Sequence, residues 1–165
     1  MKRFIYFLII LFFCCCTGKA PKNEENQSIF TDSVSTGTLV ADTIIYDVII
    51  KNPNPEDEWE TKKIQYLNHA ALIDSLFELV YRKDIIAYDV FDNRPLLLSE
   101  VRSIEGQQDF DRSRIGKIQF TEKWYFDPLS KVLQKKTIAV ALGYETYDEN
   151  GEVRAYKPVF KVYLQ

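Results

Sequence analysis

Three adjacent cysteines, Cys14, Cys15 and Cys16, are the most reactive side chains in this 165-residue chain, and the chain has no others. They end an unbroken apolar run, Phe4 to Phe13, that follows the positive pair Lys2 and Arg3. Neighbouring cysteines with no partner downstream build no disulfide framework. Their place at the end of a secretory-type apolar run suits a different chemistry, lipidation of a thiol at a bacterial lipobox. There a peptidase cuts before a cysteine that has received a diacylglycerol. The residue before the cut is normally small. Cys precedes both Cys15 and Cys16, whereas the bulky Phe13 precedes Cys14. The expected order of preference is therefore Cys16, Cys15, Cys14. The plainer alternative is an ordinary cleavable signal whose cysteines are the tail of the run.

The remaining inventory for catalysis is thin. His69 is the single histidine and sits on a helical pattern, where a surface or boundary position is expected. One histidine without cysteines or a tight carboxylate cluster holds no zinc. No Ser lies in a Gly-x-Ser-x-Gly elbow, and the glycines are scattered singly rather than gathered in a phosphate loop. Asp84, Asp89, Asp92 and Asn93 supply the hard oxygens a calcium ion takes. Their spacing is not that of an EF-hand, and Asp and Asn at turns bond their own backbone. The expectation is no catalytic residues, no metal and no cofactor. Glu122 interrupts an otherwise apolar strand face, either as a buried paired carboxylate or where the strand leaves the core. Trp124, Tyr125 and Phe126, with Tyr156 on the last strand, are the candidate partner-binding residues, since aromatics dominate interface hot spots. The competing reading for them is core.

Elements that would position these residues follow from periodicity. Leu39 to Lys51 is a β-branched strand with Ile44, Tyr46, Val48 and Ile50 on its buried face. Pro53 and Pro55 make Asn52 to Glu58 a loop. Three- and four-residue spacings from Thr61 to Lys83 predict one helix. Ile85 to Val90 is a short strand and Phe91 to Pro95 a turn. Ser99 is the expected N-cap of a short helix through Glu105, and Gly106 to Ser113 an exposed loop. Lys117 to Asp127 is a strand with Ile118, Phe120, Trp124 and Phe126 on one face. A turn at Asp127-Pro128-Leu129-Ser130 leads to a strand from Val132 to Tyr147, with Ile138, Val140, Leu142 and Tyr144 together. Asn150-Gly151 signals a type I′ hairpin into Val153 to Leu164. Pro158 marks an edge or bulge there. Lys157 and Lys161 look like charge guards of an open terminal edge. The predicted class is α+β: an antiparallel sheet whose C-terminal three-stranded meander packs against one main helix and a short second helix.

The organisation expected is a signal with lipidation-type cysteines over 1–16, a flexible tether over 17–38 rich in Ser, Thr and Asn, and one domain over 39–165. The apolar run is too short for a membrane span, which takes about 20 residues. Composition is globular, 46% hydrophobic and 27% charged. Removing Lys2 and Arg3 leaves 19 basic against 24 acidic residues, net −5. That excludes a nucleic-acid footprint and suggests no polybasic grip on anionic lipid.

The segments LIDSLFELVYRKDIIAYDVFD, LLLSEV, EKWYFDPLSKVL and DENGEVRAYKPVFKVYL, in that order, resemble the GldN/PorN proteins of gliding motility and type IX secretion. The matching features are Ile85–Asp89 after the helix, the Trp124–Asp127 turn and the Ala155–Phe160 strand, within a resemblance spanning Ile44 to Leu164. The resemblance implies periplasmic placement at the outer membrane, protein partners from the secretion or gliding machinery, and no catalytic residues. Relatives run on past the last strand and are recruited by a separate lipoprotein. Ending at Gln165 with its own lipid, this chain is expected to be a short, self-anchored relative. The alternative is a free-standing periplasmic lipoprotein that binds a small molecule or polysaccharide, which requires an aromatic-lined pocket.

Overall fold

In the computed structural model the described residues are 37–164. The signal segment, Cys14 to Cys16 and the expected tether up to Thr36 lie outside them. The fold is mixed α+β, a five-stranded antiparallel sheet with three helices. Strand β1 spans Thr38–Ile49 and is followed by helices α1, Glu58–Ile64, and α2, His69–Tyr81. Strand β2, Ala87–Tyr88, and helix α3, Leu98–Glu105, come next, then a 3₁₀ turn at Arg112–Arg114. Strands β3, Ile115–Asp127, β4, Val132–Tyr147, and β5, Val153–Tyr163, complete the chain. The strand order is β1-β3-β4-β5-β2.

The single helix expected from Thr61 to Lys83 is two helices. Asn68 separates them, because its side chain accepts from the Ala71 N–H and so supplies a start signal inside the apolar pattern. Asp57 likewise caps α1 by accepting from the N–H groups of Trp59 and Glu60. Helix therefore begins at Glu58, within the segment read as loop. α1 buries no residue, whereas α2 buries Ile73, Leu76, Phe77 and Val80. Ser99 is not the cap of α3. Leu97 occupies that position, and the Glu100 carboxylate accepts its N–H at 2.7 Å.

The core lies between the helices and one sheet face. Phe77 of α2 meets Phe160 of β5 edge to face at 5.0 Å, and Val101 of α3 joins Ile118, Val140, Leu142 and Val162. The segment from Gly106 to Ser113, read as an exposed loop, delivers Phe110 to this core. Its ring stacks on Tyr144 at 5.1 Å and abuts Phe77.

Register carries three further corrections. Ile138 is the extra residue of a β-bulge, since Thr121 pairs with Ala139 while Glu122 pairs with Thr137. The bulge switches parity, so Thr137, Lys135 and Leu133 continue the helix-side face of Val140 and Leu142. The β4–β5 turn is not type I′. Only Gly151 has positive φ, at 81°, where type I′ needs two such residues. Gly151 N–H donates to Asp148 C=O and Asp148 N–H to Glu152 C=O, a three-residue loop with a glycine bulge. Finally, the edge of β5 is not open along its length. The strand expected over Ile85 to Val90 shrinks to Ala87–Tyr88, and it pairs with Val162 and Lys161. Pro158 does sit at a register slip, opposite Gly143.

Candidate functional site

Cross-strand pairing sorts the expected partner-binding aromatics. Phe120 pairs with Tyr46 and Val140 and faces the helices, so Glu122, Trp124 and Phe126, two residues apart in turn, follow it on the same face. Tyr125 points to the other face. Tyr156 pairs with Glu145, ten residues along β4 from Lys135, the partner of Trp124. At about 3.4 Å per residue that is roughly 30 Å. Trp124 and Phe126 therefore form one surface, which Tyr125 and Tyr156 do not share.

That surface is the part of the helix-side face that runs beyond the helices. Glu122, 5% exposed, is a buried and paired carboxylate. It accepts from Trp124 Nε1 at 3.0 Å and Thr137 Oγ1 at 3.3 Å. Burial, and then Glu122, push the Tyr46 hydroxyl above its ordinary pKa. Tyr46 stacks on Phe120 at 5.7 Å, and Lys135 lies over Trp124, 4.4 Å from the ring centre. Towards the hairpin the cover ends: Phe126, Leu133 and Val132 are exposed, and Leu129 at the turn is 93% exposed.

The opposite face holds a cluster that sequence reasoning missed. Glu145 is 1% exposed, yet its Oε2 accepts from Lys51 Nζ at 2.6 Å and Tyr147 OH at 2.5 Å. Its Oε1 and Arg114 Nε are buried without a partner. Burial opposes the Lys51 charge, but Glu145 outweighs it and holds the Lys51 pKa above the ordinary value. Gly116 makes room for this carboxylate, since a Cβ there would lie 2.5 Å from Oε1. Along the same face Asp47 accepts from Lys117 and Gln119, and these bonds hold its carboxyl below the usual range. Nothing around Glu145 in sequence signals burial, and Lys51 is 94 positions away.

The other candidates resolve locally. His69 is half-buried and donates from Nε2 to the Ile115 carbonyl at 2.6 Å. Asp89 accepts from the N–H groups of Phe91 and Asp92, which lower its pKa. Asp84 pairs with Arg82, and Asn93 accepts from Tyr163 OH. Among the described residues no group of three or more His, Cys, Asp or Glu side chains is placed to hold a metal, and no helix is long and apolar enough to cross a membrane.

Two open grooves flank β2. One, about 620 Å³, is lined by Val80, Ile85, Ile86 and Leu96 to Leu98. The other, about 470 Å³, shares Lys83, Ile85 and Ile86 and reaches Tyr88 and Tyr163. Ile86 and Leu97 are 55% and 68% exposed at the larger groove. No family model matches the chain, and no curated protein matches it.

Proposed function

We propose that this chain is a lipid-anchored envelope protein that works by binding another protein. Its resemblance to the GldN/PorN proteins makes it an accessory component of the type IX secretion and gliding apparatus, facing the periplasm from the outer membrane. The meander of β3, β4 and β5 with α2 as main helix and α3 beside it is the platform. The observation that carries the binding reading is the apolar groove beside β2, where Ile86, just before β2, and Leu97, the N-cap of α3, stand uncovered. Exposed aliphatic groups around a concave apolar floor are what a partner's side chains bury.

The test is a crosslinking pull-down of the intact protein from its own membranes. Ile86→Glu, Leu97→Glu and a Cys14/Cys15/Cys16→Ala version run alongside. Secretion-ring or gliding proteins are expected with the unaltered chain, lost with either groove variant and weakened without the anchor. Recovery of none of them, from protein that still fractionates with membrane, sinks the reading. The groove volumes, within the roughly 300–1,000 Å³ of ligand sites, then favour the second reading, a binding lipoprotein for a small molecule or polysaccharide.

A further inference from the structure

We infer that the β3–β4 hairpin tip is a membrane-contact element that lies on an anionic bilayer, an inference that rests on the lipid-anchored reading above. Three observations converge on it. The tip is apolar on both faces and at its end. Phe126 and Leu133 pair on one face, Val132 lies on the other, and Leu129 is 93% exposed between them. Around the one turn carboxylate, Asp127, the tip therefore offers apolar side chains from each face and from its end for a bilayer surface to meet.

Charge supports the same occupant. The chain is acidic overall, yet the stretch from Lys123 to Lys136 holds four lysines, Lys123, Lys131, Lys135 and Lys136, against one carboxylate, Asp127. Lys123 is paired with Asp42 at 3.0 Å, and the other three are exposed. The whole-chain count suggests no grip on anionic lipid; the hairpin concentrates basic charge locally. Three lysines around an apolar tip are complementary to an anionic headgroup layer, to which each contributes about a fivefold gain in partitioning.

The third observation is where the chain enters. β1 starts at Thr38, which pairs with Phe126, and Leu39 and Val40 beside it are exposed. The chain upstream, including Cys16, therefore joins the domain at the same end as the tip. Even fully extended, the 21 residues between Cys16 and Thr38 reach at most about 70 Å. An anchor at Cys16 thus tethers this end of the sheet, and the high effective concentration lets a weak contact be occupied.

The test uses the intact chain purified from its own membranes and reconstituted in vesicles of phosphatidylethanolamine with phosphatidylglycerol, or of phosphatidylcholine alone. A Trp59→Phe version is compared with and without Leu129→Trp, so that the difference reports the tip. The introduced indole is expected to be quenched by brominated acyl chains and shielded from aqueous acrylamide. Lys131→Glu with Lys136→Glu should lower the ratio of quenched to unquenched indole in phosphatidylglycerol vesicles, by about fivefold or more per lysine, and little in phosphatidylcholine. Vesicle flotation of the same samples reads the anchor separately. Protein that floats while the indole stays open to acrylamide overturns the inference and leaves the anchor standing. Protein that does not float removes the anchor; the indole is then read with lipid in large excess, where quenching supports tip contact and its absence overturns it. Shielding in native membranes without bromolipid quenching also overturns it, and assigns the tip to a protein partner.

Discussion

Glu145 sits 1% exposed with one oxygen held by Lys51 and Tyr147 and the other pressed toward Gly116. Two substitutions therefore act on one spot. Gly116→Ala forces the carboxylate aside and should cost about 1–3 kcal/mol. Glu145→Ala removes the pair and should cost about 2 kcal/mol, moderated because Lys51 keeps contact with water. Together they should cost less than their sum by at least about 0.5 kcal/mol, since the alanine at 145 vacates the space the new methyl needs. Urea unfolding of the four proteins checks this, and strict additivity would refute the contact. A second residue reports burial by titration. Burial and the bond to Glu105 push the Tyr81 hydroxyl up to about 12. The neutral phenol is favoured by the fold, so its contribution is complete below pH 10 and lost as pH rises from 10 to 12. Alkaline titration at the phenolate band should show a late step that Tyr81→Phe removes. Neither site was legible in the sequence. Glu145 lies between a tyrosine and a threonine on a strand whose apolar face is the other one, and its charged partner, Lys51, comes from the segment just past β1. Glu122 was legible only as a choice, between a buried paired carboxylate and a strand leaving the core, and the bonds from Trp124 and Thr137 decide for the first.

Among the elements, strands with strict alternation were read to within a residue or two, and β3, β4 and β5 all lie where the sequence places them. What alternation hides is a change of parity. Ile138 looks like a core position, but the bulge it occupies turns Thr137, Lys135 and Leu133 to the helix side instead. Apolar spacing hides breaks in the same way: Ile64 and Leu67 continue the pattern of α2, so one helix was expected where Asn68 starts a second. The cap is testable. Asn68→Ala removes the acceptor for the Ala71 N–H and should destabilise the fold by about 1 kcal/mol, while Asn68→Asp should retain most of it. Denaturant midpoints of the two variants decide; equal loss for both would mean that the side chain does not cap. The pattern over Ile85 to Val90 predicts a strand, yet only Ala87–Tyr88 pairs, because Pro95 and the Asp89 turn fold the chain back at once.

At the scale of the molecule, the carboxylates that shift among the described residues all shift downward. Asp42, Asp47, Asp89, Asp111, Asp127 and Glu100 are all held below their ordinary values, Asp47 chiefly by Lys117 and Glu100 chiefly by Arg94. A carboxylate with a depressed pKa stabilises the fold above its unfolded value and loses that contribution as pH falls through the folded one. The urea midpoint should therefore stay level near neutrality and decline below about pH 4. High salt should shrink the part due to exposed pairs such as Lys123–Asp42. A midpoint that began to fall near pH 6 would refute the assignment to these carboxylates. At the other limb, Lys51 and Lys123 are held above their ordinary values, and their contribution is lost above about pH 10.5.

The sheet is also uneven in width. β5 meets β4 only from Ala139 onward, with Leu164 N–H reaching Ile138 C=O, whereas β3 accompanies β4 down to Val132. Among the described residues, the outward side of β4 from Val132 to Thr137 has no strand against it. Half of those amides point at β3 and half at water. In deuterated solvent they should exchange in a two-residue rhythm, slow beside fast, and the rhythm should stop abruptly at Ala139, where both sides are occupied. If the hairpin rests on a bilayer, the fast set should slow on reconstitution while the slow set stays as it was.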